Sequence, residues 1–345
     1  MTAAGKAVAI DIPPLALTMG EPAGIGAEIA LKAWMKRGRE TPVFVLLDDP
    51  ERLEILSRRL GWKAPVQAVD SPAEAVDVFS TALPVLPLEL PRAAEPGRPD
   101  PAFAKAIIAA IENAVRLTRA GETAAVVTNP IHKKSLYDAG FLFPGHTEFL
   151  AGLTGGNHPV MMLASENFRV VPVTGHMSLA EAIKNLTTEA IIETAEITAR
   201  ALHRDFAVKT PRLAVAGLNP HAGEEGGMGR EEETIIRPAI EILAERGIKA
   251  SGPAPPDSLF TDIARSGYDA AICMYHDQAL IPIKTLAFAR AVNVTLGLPI
   301  VRTSPDHGTA FDIAGTGKAS ADSLMAALSL AAEIAARRRH MRERA

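Results

Sequence analysis

The chain has 345 residues, enough for one large domain or two of ordinary size, and 48% of them are hydrophobic, as in a soluble globular enzyme. A net charge of −4 with basic residues spread along the chain, and only 5% aromatics, argue against a nucleic-acid partner; the Arg337-Arg338-Arg339 run reads as the solvated last turn of a helix. No apolar run approaches the ~20 residues that span a bilayer, Met1 to Asp11 lacks the apolar core of a secretory signal, and a lone cysteine, Cys273, excludes an intrachain disulfide, so a cytoplasmic location with no membrane partner is expected.

Strand-like and helical runs alternate, which predicts an α/β domain with a mainly parallel sheet. Leu15 to Met19 reads as a strand, followed by a glycine turn and a helix from about Gly26 to Lys36. Val43 to Leu47 is a second strand and Glu51 to Leu60 a helix. The proline-rich stretch Ala82 to Pro101 reads as a meandering connection before an alanine-rich helix from Pro101 to Ala120. Ala124 to Thr128 is a strand closed by Asn129-Pro130. Val160 to Ala164 and Arg169 to Thr174 read as neighbouring strands, Thr188 to His203 as a helix, Leu213 to Gly217 as a strand, and Arg230 to Arg246 as a helix ended by Gly247. Strands at Ala270 to Met274 and Val292 to Leu296, a glycine-rich loop and a helix from Ala321 to Arg338 complete the chain. With no Gly/Ser linker and no internal repeat, two lobes sharing strands around a cleft suit the pattern.

The polar residues gather at strand exits. In open α/β sheets ligands bind beyond the carboxyl ends of the strands. His176 in Val173-Thr174-Gly175-His176, His221 in Asn219-Pro220-His221 and His276 in Met274-Tyr275-His276 each follow a strand directly. Three imidazoles with an open fourth position are the set a catalytic zinc or similar ion uses, and Asp277 would orient a ligand from behind. The alternative is three unrelated loop histidines. Thr18-Met19-Gly20-Glu21-Pro22-Ala23-Gly24-Ile25-Gly26 offers backbone N–H groups at a helix start, as an anion site does, although a plain tight turn explains it equally. Its counterpart is His307-Gly308-Thr309-Ala310-Phe311-Asp312-Ile313-Ala314-Gly315-Thr316-Gly317, where small residues let a ligand approach and Asp312 accepts from a ribose or an adenine amine; a glycine-rich surface loop is the other reading. Lys284, Asn293 and Arg302 supply cations and an amide suited to phosphate or carboxylate, or are solvated surface groups. His146 opens a helix, as a ligand contact or as a capping-turn residue.

Together these segments resemble the 4-hydroxythreonine-4-phosphate dehydrogenases of pyridoxal phosphate biosynthesis, over nearly the whole chain. The motifs are Met19-Gly20-Glu21-Pro22-Ala23-Gly24-Ile25-Gly26, Phe143-Pro144-Gly145-His146-Thr147-Glu148, Asn219-Pro220-His221-Ala222-Gly223-Glu224, Met274-Tyr275-His276-Asp277-Gln278, Asn293-Val294-Thr295-Leu296-Gly297-Leu298-Pro299 and Arg302-Thr303-Ser304-Pro305-Asp306-His307-Gly308-Thr309-Ala310. The first and last also look like segments of the wider isocitrate and isopropylmalate dehydrogenase superfamily.

The resemblance implies a two-lobed α/β/α fold of that superfamily with a cleft between the lobes. One lobe is expected over residues 1–135 plus 305–345, the other over 136–304 with the metal ligands and a homodimer interface. It implies metal ligation by His176, His221 and His276 (Zn, Mg or Co), substrate contacts from His146, Thr147, Lys284, Asn293 and Arg302, and NAD or NADP along His307, Gly308, Thr309, Ala310 and Asp312. The implied reaction is oxidation of 4-phosphooxy-L-threonine at C3 followed by decarboxylation to 3-amino-2-oxopropyl phosphate, with His146, Asp277 or a water moving protons. A sister dehydrogenase for erythronate or threonate 4-phosphate, or for a cyclic diol, would share these motifs. A non-catalytic binding protein would explain the cations but not three strand-end histidines.

Overall fold

The computed structural model describes residues 12–143, 145–156 and 158–344, so Met1 to Asp11 and Pro144 of the helix-opening motif lie outside the described residues. The strands are β1 (Leu15–Thr18), β2 (Phe44–Asp48), β3 (Val66–Ala68), β4 (Leu83–Pro87), β5 (Val126–Thr128), β6 (Val160–Ala164), β7 (Arg169–Pro172), β8 (Arg212–Ala216), β9 (Lys249–Ala254), β10 (Ala270–Cys273), β11 (Val292–Leu296) and β12 (Arg302–Pro305). Backbone contacts divide the chain into two units, residues 1–156 with 298–340 and residues 157–297 with 341–345.

In the first unit six strands run parallel in the order β3-β4-β2-β1-β5-β12. β1 and β2 are buried along their whole length, so they read as continuous apolar runs, as strands covered on both faces do. Helix α1 (Gly26–Met35) follows β1, and α2 (Pro50–Arg59) follows β2. The Asp49 side chain caps α2 by accepting from the amides of Glu51 and Arg52, with Pro50 in the first turn, where a missing N–H costs nothing. After the short helix α3 (Glu74–Val78) comes α4 (Ala104–Ala120), whose Ile107, Ile111 and Val115 pack with Ala16 and Val126 of the sheet. Helices α5 (Lys133–Asp138) and α6 (His146–Thr154) follow β5, and Leu136, Phe149 and Leu150 join that same cluster. This packing carries the first unit to residue 156, where the sequence suggested a boundary near 135.

In the second unit the order is β11-β6-β7-β10-β8-β9. β7, β10, β8 and β9 are parallel, while β6 runs antiparallel to both β7 and β11. Helices α7 (Leu179–Asn185) and α8 (Thr188–Phe206) follow β7, α9 (Arg237–Glu245) lies between β8 and β9, the short α10 (Pro256–Leu259) and α11 (Asp262–Arg265) precede β10, and α12 (His276–Ala287) follows it. The second core gathers Leu163, Val170, Ala214, Ala271, Cys273, Ala279 and Ile283. Cys273 is fully buried, and burial pushes its thiol up, so it behaves as a small apolar residue. The chain closes with helix α13 (Asp322–Arg344). No helix among the described residues is long and apolar enough to cross a membrane.

Several elements differ from the sequence expectation, and four of them have a plain physical reason. β4 lies inside the stretch read as a meander, because prolines at 84 and 87 masked a strand whose Leu83 and Val85 are fully buried. β12 was hidden by polarity: Arg302, Thr303 and Ser304 are all buried, and no apolar period marks them. The helix before Gly247 starts as a π-turn, Glu232–Ile236, since Pro238 has no N–H to give the α-helical ladder. α12 was masked by Pro282 within it, so His276 opens a helix as well as following a strand.

Candidate active site

β7 and β10 are parallel neighbours, so their carboxyl ends emerge side by side. His176 follows the first and His276 the second, and their rings lie 5.3 Å apart between centroids. Three hydrogen bonds pin the β10 exit. The Gln278 side chain accepts from the Met274 amide at 2.6 Å and donates to the Gly217 carbonyl beyond β8 at 2.7 Å, while the Thr174 hydroxyl donates to the Met274 carbonyl at 2.7 Å. Three strand ends are thereby held together before either imidazole is placed.

Asp277 Oδ1 lies 2.7 Å from His276 Nδ1. A carboxylate there selects the tautomer protonated at Nδ1 and leaves Nε2 as the free donor atom. A cavity of about 510 Å³ opens at this place, lined by His176, Met177, Leu179, Tyr275, His276 and Asp277. Its wall at α7 is set by a capping box, in which Ser178 and Glu181 satisfy each other's backbone amides.

His221 is treated differently. It is exposed, and it begins a left-handed turn that follows β8. Among the described residues no three His, Cys, Asp or Glu side chains gather around a common point. His176 and His276 are brought together; His221 is not gathered with them. Lys284 is half-buried in the last turn of α12. Asn293, opposite Leu163 in the β11–β6 register, has an enclosed Oδ1 that finds no hydrogen-bond partner among the described residues.

The first unit holds a second polar cluster. Arg302, 4% exposed at the start of β12, donates from Nη2 to the Thr128 hydroxyl at the end of β5 at 2.7 Å. Burial lowers its pKa to about 10, with Glu148 opposing the fall, so it stays cationic at neutral pH. His146 begins α6 after the extended Gly145. Its surface is partly exposed, but Nε2 is enclosed and has no partner among the described residues. Burial, and then the charges of Arg302 and Lys133, push the imidazole well below the usual histidine range, so it is neutral at pH 7. Thr147 is half-buried beside it.

The two glycine-bearing segments of this unit meet, as their pairing in the sequence suggested. Ile25 donates its amide to the Thr309 carbonyl at 3.1 Å, and a Cβ on Gly24 would stand 3.0 Å from that same oxygen. The buried Glu28 carboxyl accepts from the amides of Gly315 at 3.0 Å and Ala319 at 2.9 Å. Lys32 donates to the Gly317 and Ala319 carbonyls, at 2.6 and 2.5 Å. The loop is therefore fastened to α1. His307 Nε2 is enclosed without a partner among the described residues, and Gly308 and Asp312 are exposed.

The family model described as pyridoxal phosphate biosynthetic protein PdxA matches residues 40–331. The chain belongs to the PdxA family. A family member from Caulobacter vibrioides, named 4-hydroxythreonine-4-phosphate dehydrogenase, is 55% identical over 331 residues, covering 94% of this chain and 98% of its own length. The crystal structure of the enzyme of that name from Klebsiella pneumoniae superposes with a TM-score of 0.85 at 37% identity, covering 95% of this chain and 99% of that one. The terephthalate 1,2-cis-dihydrodiol dehydrogenase of Burkholderia xenovorans is more distant, with a TM-score of 0.61 at 28% identity over 93% and 98% of the two chains. The resemblance read from six motifs is thus borne out, and with it the α/β fold.

In this PdxA-family chain some residues at these clusters were given no role from the sequence. Lys133 is one: it acts on the His146 charge state, and its Nζ is 3.4 Å from where a Cβ on Gly145 would sit. Thr128 is another, since a buried threonine at a strand end carries no pattern, and Gln278, although it stands in a quoted motif, gave no sign of the strand ends it would join. Glu21 is fully buried, with Oε1 accepting from the Ala23 amide at 3.2 Å and Oε2 unpartnered among the described residues. Only its place in a glycine motif could have drawn attention to it.

Proposed function

We propose that the chain oxidises 4-phosphooxy-L-threonine at C3 with NAD or NADP as hydride acceptor and then releases CO₂ to give 3-amino-2-oxopropyl phosphate. The observation that carries the reading is the His176–His276 pair, with Asp277 behind one ring and a cavity in front. Two adjacent imidazoles, one oriented by a carboxylate, suit a divalent cation, with His221 as third ligand; nitrogen donors favour zinc or cobalt over magnesium. Such a cation, when bound, supplies Lewis-acid stabilisation of negative charge on a substrate oxygen.

The remaining groups act on the substrate directly. Arg302, a buried cation with a planar fork, grips a phosphate or carboxylate, and Thr128 holds its orientation. His146 and Thr147 donate to the same anion. Because His146 is neutral, its enclosed Nε2 also serves for proton transfer without a charge to shed. Lys284 and Asn293 complete the set, the orphaned Asn293 Oδ1 being available to a donor on the substrate. Backbone at His307, Gly308, Thr309 and Ala310, with Asp312, receives the dinucleotide. Exposed apolar side chains at the end of α12, Leu286 at 51% and Phe288 at 68%, support a homodimer with its active site at the interface. The single, buried Cys273 agrees with a cytoplasmic location.

The test uses His276→Ala with unchanged oligomeric state. Bound metal and NAD⁺ reduction with 4-phosphooxy-L-threonine should be lost together; full turnover in metal-free variant protein would refute the assignment. Assaying erythronate 4-phosphate, threonate 4-phosphate and a cyclic cis-diol in parallel separates this reading from the sister-dehydrogenase one.

A further inference from the structure

His221 stands at the head of an unusual piece of backbone. From His221 to Gly226 every residue has positive φ: 51° at His221, 52° at Ala222, 78° at Gly223, 42° at Glu224, 55° at Glu225 and 91° at Gly226. Left-handed conformation brings Cβ against the following carbonyl, and four of these six residues carry a Cβ, so the run persists only if its surroundings hold it. The turn closes on itself through amide bonds from Ala222 to Asn219, Gly227 to Glu224 and Met228 to Gly223. Two side chains tie its start to the rest of the fold: Glu231, whose Oε2 accepts from the Asn219 side-chain amide at 2.7 Å, and the buried Glu232.

Glu232 is 2% exposed and opens the π-turn that precedes α9. Its Oε1 accepts from the amides of Leu218 at 2.8 Å and Asn219 at 2.7 Å, and its Oε2 from the Asn219 side-chain amide at 2.9 Å. These bonds fix the chain immediately before Pro220 and His221. The same carboxyl group fills the hollow of the turn: a Cβ on Gly223 would stand 2.6 Å from Oε2. The π-turn also has a purpose here, since the extra residue in a helical turn re-aims side chains and is frequent at functional sites.

We propose that Glu232 is a positioning residue for His221, its buried carboxyl group fixing the origin and the curvature of the left-handed turn that presents this imidazole to the metal. The inference rests on the three-histidine reading above. Groups behind a ligand typically change metal affinity about 10–100-fold when removed.

The experiment titrates Co²⁺ into the metal-free full-length protein, by calorimetry and by the cobalt visible spectrum, for wild type, His221→Ala, Glu232→Ala, Glu232→Gln and Gly223→Ala, with thermal unfolding of each. Glu232→Ala should weaken cobalt binding about 10–100-fold and alter the spectrum of the bound ion. Glu232→Gln, whose amide oxygen still accepts from Leu218 and Asn219, should recover part of the affinity. Gly223→Ala removes no hydrogen-bonding group but displaces the turn, so it should weaken binding too, and it carries the test if Glu232→Ala does not fold. Wild-type affinity and spectrum in Glu232→Ala or Glu232→Gln and in Gly223→Ala, with binding lost in His221→Ala, would overturn the proposal alone. Undiminished binding in His221→Ala would instead overturn the three-histidine reading beneath it.

Discussion

Glu21→Gln is the substitution whose effect follows most directly from the structure. Glu21 is fully buried in the turn between β1 and α1, and burial raises its carboxyl from 4.5 to about 7; the Ala23 amide and Arg52 oppose this rise and Asp100 adds to it. Between those two pH values the folded state holds a proton that the unfolded chain has released. Stability therefore falls as pH rises from 4.5 to about 7, and the loss is complete above that. At 1.36 kcal/mol per pH unit the full loss is about 3 kcal/mol. Glutamine keeps an oxygen for the Ala23 amide and cannot ionise, so the variant should match wild type near pH 4.5 and exceed it by about 3 kcal/mol at pH 8. Both tryptophans, Trp34 and Trp62, lie in the same unit as Glu21, so urea unfolding followed by tryptophan fluorescence at the two pH values reports the right region. An equal stability difference at pH 5 and pH 8 would refute the reasoning, because it would mean that Glu21 does not titrate between them.

Two further predictions concern the polar clusters. Asp277→Ala should lower cobalt affinity by about tenfold, the lower end of the usual range for a group behind a ligand, because the Asp277 side chain is 67% exposed; unchanged affinity in calorimetry would show that it does not orient His276. Arg302→Lys keeps the charge but loses the fork, and should raise KM for the phosphorylated substrate about 30-fold, roughly 2 kcal/mol, while kcat changes less. Equal losses for phosphorylated and unphosphorylated substrate analogues in steady-state kinetics would argue against an anion contact.

The family, the α/β alternation and the residue types of the site are written locally in the chain. β1, β2 and β6 could be read because each is a short, mostly apolar run, and β11 because apolar residues alternate with polar ones, so local burial leaves a local pattern. The histidines at strand exits were legible for the same reason: a buried strand announces where it ends, and a polar residue there stands out. β12 and β4 were not, since one is buried through polar contacts and the other is interrupted by prolines; both depend on neighbours that sequence periodicity cannot register.

Tertiary structure alone decided which of these residues meet. That His176 and His276 stand together follows from β7 and β10 being parallel partners, although about a hundred residues separate them and nothing in either segment specifies the pairing. The neutral state of His146 comes from enclosure near Arg302 and Lys133, and the raised pKa of Glu21 from complete burial. The left-handed turn at His221 stands on the Glu232 carboxyl, eleven residues further on. Residue identity supplied the chemical groups, but their distances, charge states and partners are properties of packing, which no single stretch of chain contains.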